Sequence, residues 1–129
     1  MSEEYRQISS QKNNCKQGHW TGIPPGGSGT GCWLCQYGCA ILSYLYWKGL
    51  TPNETNVKKY LNSNADADWS KMGISKHTEC SAPCIGRLSS RSHFVFIKDK
   101  DAKDNVNIFD PGKRSNTSMK KGDFSFFYY

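Results

Sequence analysis

Gly38-Cys39-Ala40-Ile41-Leu42-Ser43-Tyr44-Leu45-Tyr46-Trp47 is the longest apolar run in the chain. Its apolar residues fall on every side, so it lacks the single stripe of a surface helix and reads as a helix buried all round. As a strand it would exceed the usual length of about four to eight residues. Lys48-Gly49 follows, a basic last turn and a glycine stop. The run therefore predicts a buried central helix over about Cys39 to Lys48. Its first residue is a cysteine. The positive end of a helix dipole and the unpaired N–H groups of a first turn favour a thiolate there. Cys39 is thus a candidate nucleophile, and the rest of the chain must supply a base, an orienting acid and an oxyanion donor.

The chain has 129 residues, enough for one domain with one core. Hydrophobic residues make up 36% and aromatics 13%, so aromatic rings must supply much of the buried area. No apolar stretch reaches the roughly 18 residues of a transmembrane helix, and no membrane insertion is expected. The polar, acidic start Met1-Ser2-Glu3-Glu4-Tyr5 shows neither a basic nor an apolar signal region. The chain reads as cytoplasmic as synthesised, with export by another route left open. The net charge of +6 is spread out, with small clusters at Lys113-Arg114 and Lys120-Lys121. No basic stripe lies beside Trp20, Trp33, Trp47 or Trp69, so these read as core and cleft walls rather than a nucleic-acid surface.

Around the predicted helix the organisation is as follows. Residues 1–31 are polar, then rich in Gly, Pro, Ser and Thr, and read as an extended arm. Thr51-Pro52-Asn53-Glu54 predicts a second helix capped by Thr51, with Glu54 closing a capping box. Val57, Tyr60 and Leu61 form its buried stripe, and it ends near Asn62. Residues 63–91 carry no sustained period and read as loop with at most one short helix or strand. His93 to Ile97, Val106 to Phe109 and Asp123 to Tyr129 read as antiparallel strands. Folding the first two about a centre between Asp101 and Ala102 sets His93 opposite Asp110, within reach of a side-chain pair. That register is an assumption, and a one-residue slip would destroy the pair. His93 then stands as the base for Cys39, and Asp110 as the acid that orients the imidazole. The Cys39 N–H is one oxyanion donor, and an upstream Gln side chain is the candidate second.

These pieces resemble the papain-like cysteine peptidases of the bacteriocin-leader-processing type and their bacterial and phage relatives. Tyr5-Arg6-Gln7 resembles the family's Tyr-x-Gln element, which implies Gln7 as the oxyanion donor; Gln17 and Gln36 are rivals. Gly29-Thr30-Gly31-Cys32, followed by Gly38-Cys39-Ala40-Ile41-Leu42-Ser43, resembles the approach to the nucleophile. Gly49-Leu50-Thr51-Pro52 resembles the lead into the second helix, Ser92-His93-Phe94-Val95 the base strand, and Val106 to Gly112 the strand that ends in Asp-Pro. Ser92 stands where the family has glycine. The usual Gly-x-Pro-Val strand before the base is missing, with Cys80 and Cys84 in that segment instead. The resemblance covers most of the chain. It implies an α+β papain-like cysteine peptidase fold, a central buried helix packed on a small antiparallel sheet, in a single domain over 1–129: arm 1–31, two helices in 39–62, strands in 93–129. The activity it implies is cleavage of an amide bond in a peptide, a protein or a peptidoglycan stem through a Cys39–His93–Asp110 triad and a thioester acyl-enzyme. Hydrolysis is not separated from deamidation or acyl transfer at this point.

Two other readings stand beside it. One is an inactive peptide-binding module on the same fold. The other is a zinc-stabilised interaction protein, because Cys32-x2-Cys35 and Cys80-x3-Cys84 have spacings that a four-thiolate site accepts. Two disulfides or plain buried thiols compete for the same cysteines. With Cys39 set aside, Cys15 joins these four to make an odd number, and without a secretory signal reduced thiols are expected. The amide chemistry itself calls for no cofactor. His19 and His77 have no plausible carboxylate partner in sequence.

Overall fold

A computed structural model describes residue 5 and residues 38–62, 66–112 and 118–129. These residues form an α+β arrangement of three α-helices, a short 3-10 helix at Lys121–Asp123 and one six-stranded sheet. The α-helices are α1 (Cys39–Lys48), α2 (Glu54–Lys59) and α3 (Trp69–Met72). The strands are β1 (Lys76–His77), β2 (Cys84–Leu88), β3 (Phe94–Lys100), β4 (Asn105–Phe109), β5 (Ser118–Lys120) and β6 (Phe124–Tyr128). The sheet order is β1-β6-β2-β3-β4-β5, and every pairing is antiparallel.

Helix α1 is buried continuously from Cys39 to Leu45, as an apolar run without a polar face requires. Gly49 closes it in the left-handed conformation at φ 67°, which a glycine adopts without strain. The backbone N–H of Leu50 then returns to the Leu45 carbonyl at 3.0 Å. The second helix starts later than its sequence suggests. Asn53, not Thr51, is the N-cap, and its side chain accepts from the Asn56 N–H at 2.9 Å. Asparagine caps at least as well as threonine. Glu54 thereby becomes the first helical residue and faces Lys58 at 3.5 Å instead of closing a capping box. The helix also stops at Lys59, short of Asn62. Val57, Tyr60 and Leu61 are buried, so the stripe itself is where the spacing places it.

The segment 63–91 is more structured than a loop: it holds α3, β1 and β2. β2 lies inside the sheet between β6 and β3, although Gly86 at its middle is a poor strand former in isolation. Its pairing with β3 and β6, not its own propensity, makes it a strand. A residue at position 86 with a Cβ would stand 2.7 Å from Phe124 Cδ1 and 2.8 Å from Ile97 Cδ1, so the neighbouring rows close over a glycine.

Residues alternate between the two faces of the sheet. Ile85, Phe96 and Phe109 join Ile41, Leu42 and Leu45 of α1 in one core. Val95, Ile97, Val106, Ile108, Leu88 and Phe127 form a second core on the opposite face. Tyr5 packs edge-on against Tyr46 at 5.4 Å and Phe109 at 6.5 Å between ring centroids.

The β3–β4 register differs from the one assumed from sequence. Phe96 pairs with Phe109 and Ile97 with Ile108; after a register shift, Asp99 pairs with Asn107 and Lys100 with Val106. The turn falls at 101–104, where the Asp101 carboxylate accepts from the N–H groups of Lys103 and Asn105 at 2.8 and 3.0 Å. A hairpin centred on Asp101–Ala102 would have set Phe96 opposite Asn107. The actual ladder near the strand ends is displaced by two residues, and continuing it brings Gly112 opposite His93. An even displacement keeps every side chain on its face.

Candidate active site

Cys39, His93 and Asp110 come from three different elements and meet at one end of the sheet. Cys39 opens α1 and is buried. His93 immediately precedes β3 and is held by its backbone: its N–H donates to the Arg91 carbonyl, and its carbonyl accepts from the Leu88 N–H, both at 2.9 Å. The β2–β3 connection therefore fixes where the imidazole starts. Asp110 follows β4 and is buried, with 2% of its surface exposed.

The His93 Nε2 and Asp110 Oδ1 atoms lie 2.6 Å apart. The two-residue displacement makes them diagonal neighbours rather than opposed ones, and long side chains span that distance. The Gly112 N–H donates to the same Asp110 oxygen at 2.8 Å. This short turn through Pro111 holds the carboxylate facing the ring. Nε2 is committed to Asp110, which leaves Nδ1 for Cys39, with which the imidazole also hydrogen-bonds. The Phe94 N–H donates toward Cys39 Sγ at 3.4 Å. One turn along α1, the Ser43 hydroxyl reaches the Phe94 carbonyl at 3.5 Å. Helix α1 and strand β3 are thus joined through one residue, and the sulfur and the imidazole share that joint.

The electrostatics of His93 follow from these contacts. Burial alone disfavours the charged ring. The hydrogen bond to Asp110, then the contact with Cys39, act in the opposite direction and prevail, raising the pKa to about 9. At neutral pH the ring is an imidazolium between a carboxylate and a sulfur.

The remaining residues singled out by sequence divide into two groups. Gln7, Gln17 and Gln36, and likewise Cys15, Cys32, Cys35 and His19, lie outside the described residues. His77 stacks on Tyr129 at 3.8 Å and meets the Ser75 hydroxyl, away from the site. Cys80 and Cys84 are free thiols with sulfurs 3.8 Å apart. Burial, followed by the neighbouring Cys80, pushes the Cys84 thiol well above the ordinary cysteine range, so it stays protonated. Among the described residues no three His, Cys, Asp or Glu side chains gather as a metal site, and no helix is long and apolar enough to cross a membrane.

Gly112 belongs to the site although it carries no side chain. A Cβ there would stand 2.9 Å from His93 Cε1 and 3.2 Å from Nε2. The sequence assigns Asp110 a role but gives none to Gly112, whose N–H helps aim the carboxylate and whose missing side chain leaves room for the ring. The sequence likewise gives no sign of the parts played by Phe94 and Ser43; nothing in a Phe or a Ser signals that its backbone or hydroxyl will link a helix to a strand. Against family models, curated proteins and solved structures, the chain finds no match.

Proposed function

We propose that this protein is a cysteine-dependent hydrolase of amide bonds, built as a small papain-like domain with the helix from Cys39 as its centre. The observation that carries the reading is the meeting of the Cys39 sulfur, the His93 imidazole and the Asp110 carboxylate at one end of the sheet. The Cys39 thiolate attacks the carbonyl carbon of the scissile amide. The tetrahedral oxyanion is held by the Cys39 N–H, one of the donors a first helical turn leaves free, and by a second donor, the role the resemblance implies for Gln7. His93, already protonated, donates its proton to the leaving amine, and a thioester forms. The neutral ring then takes a proton from water, which attacks the thioester and releases the acid. Asp110 keeps the ring oriented and balances its charge throughout. The substrate is a peptide, a protein or a peptidoglycan stem, and no cofactor enters the chemistry.

The test is the rate of iodoacetamide modification at pH 7, read at each cysteine by mass spectrometry. Cys39 should react at least tenfold faster than Cys84, whose buried thiol is an internal control. His93→Ala should remove that advantage. A Cys39 as slow as Cys84, and indifferent to His93, would overturn the hydrolase and leave a binding module on the same scaffold.

A further inference from the structure

Beside the site, running across the strands, lies a row of side chains that the chemistry above does not use. Phe94, Arg87 and Phe126 are direct partners on β3, β2 and β6, so they share one face. It is the face that carries α1. One step further along the strands, the Phe96–Ile85 pair is buried under that helix. The Phe94–Arg87–Phe126 row is only half-buried. Trp69 borders it, stacked on Tyr128 at 3.7 Å and tilted against Phe94 at 5.5 Å.

Arg87 is out of place in such a row unless something acidic joins it. Its guanidinium carries five donors. One is given to the Leu88 carbonyl at 3.1 Å, and the flat group lies 5.5 Å from the Phe126 ring centroid. Among the described residues no carboxylate pairs with it. Lys76, on the neighbouring strand β1, brings a second cation to within 4.0 Å of the Phe126 ring centroid. A half-buried cation lying near an aromatic ring, with a second aromatic residue as its neighbour on β3, suits a carboxylate, which it can grip with two parallel hydrogen bonds in a partly desolvated setting.

We propose that Arg87 and its flanking aromatic row form a substrate subsite that selects a peptide bearing an acidic side chain close to the cleaved bond. The proposal rests on Cys39 being the reacting centre. The geometry sets the spacing. Phe94 N is 3.4 Å from Cys39 Sγ, the Arg87 backbone lies one strand away, and its guanidinium reaches on toward Phe126 on the strand after that, roughly 10 Å further in all. An extended peptide covers that distance in about four residues at roughly 3.3 Å each. The selected carboxylate therefore lies within about four residues of the scissile amide, and an apolar or aromatic neighbour packs on Trp69.

The experiment uses end-capped octapeptides that contain no terminal charge, with Glu, Gln or Lys scanned through each position. Binding is read by fluorescence anisotropy on the Cys39→Ala protein, and cleavage by mass spectrometry with the native chain. Glu at one or two adjacent positions should bind about tenfold or more tighter than Gln there. Arg87→Gln should abolish that preference. Arg87→Glu should reverse it in favour of Lys, a gain that misfolding cannot produce. If Glu peptides bind no better than Gln peptides, or the preference survives Arg87→Gln, the subsite is overturned, while cleavage by the native chain would still support the hydrolase. If the preference and its reversal are found with no cleavage and a slow Cys39, the subsite holds and the hydrolase falls.

Discussion

At the scale of single residues, the site depends on a glycine as much as on its charged groups. Gly112→Ala would push a methyl group against an imidazole that cannot retreat, because Asp110 holds it at 2.6 Å. Displacements of about 1 Å in a catalytic group cost up to roughly a hundredfold in rate. We expect Gly112→Ala to lower kcat/KM by tenfold or more and to slow Cys39 alkylation, while far-ultraviolet circular dichroism stays unchanged. The charge of Asp110 has a separate effect. With His93 raised to about 9, hydrolysis should show an alkaline limb near pH 9, where the ring loses the proton it must donate. Asp110→Asn keeps the shape and removes the charge. The limb should then move down toward the ordinary histidine value, and a limb that stays near 9 in the variant would show that Asp110 does not set it.

At the scale of elements, legibility followed how local each signal was. Helix α1 could be read from its own residues, because an apolar run closed by Lys48-Gly49 admits few alternatives. The buried stripe of α2 was equally local, but its cap was not: Thr51 and Asn53 both suit the role, and only the path of the chain chooses between them. Strand β2 was illegible because the residues that make it a strand are on β3 and β6. The His93–Asp110 pair was legible through a register that proved two residues out, and it survived because an even slip preserves the face. The close approach at Gly86 gives a test of β2 as an interior strand. Gly86→Ala would place a methyl carbon 2.7–2.8 Å from Phe124 and Ile97 side-chain atoms. We expect a loss of about 1–3 kcal/mol in urea unfolding, the usual cost of overpacking a core. A stability unchanged within about 0.5 kcal/mol would mean that the rows do not close there.

At the scale of the whole molecule, the site and the fold share one energy, because the bonds that aim His93 also tie α1 to the sheet. His93 binds its proton more tightly when folded, with a pKa of about 9 against an ordinary 6.5. Below about pH 6.5 the ring is charged in both states, and the full stabilisation from its partners is present. Between 6.5 and 9 the folded chain keeps a proton that the unfolded chain has released, so stability falls as pH rises. The loss across this window is on the order of 3 kcal/mol. Other groups act at higher pH: burial, followed by Tyr60, raises Tyr44, and burial raises Tyr128 against the opposing pull of Arg87, but tyrosines titrate near 10 and above. The Cys84 thiol adds a slope of the same sign only toward the alkaline end. The informative comparison is therefore Cys39→Ser against Cys39→Ser/His93→Gln, by urea unfolding at intervals from pH 6 to 8.5, because a thiolate at Cys39 would give up one proton on folding and offset the one that His93 gains. Glutamine can still donate to Asp110 but cannot titrate. The single variant should lose stability steadily over that range while the double variant stays nearly level. Parallel curves would mean that His93 holds no extra proton in the folded protein beside Asp110, and the imidazolium on which the proposed chemistry depends would lose its support.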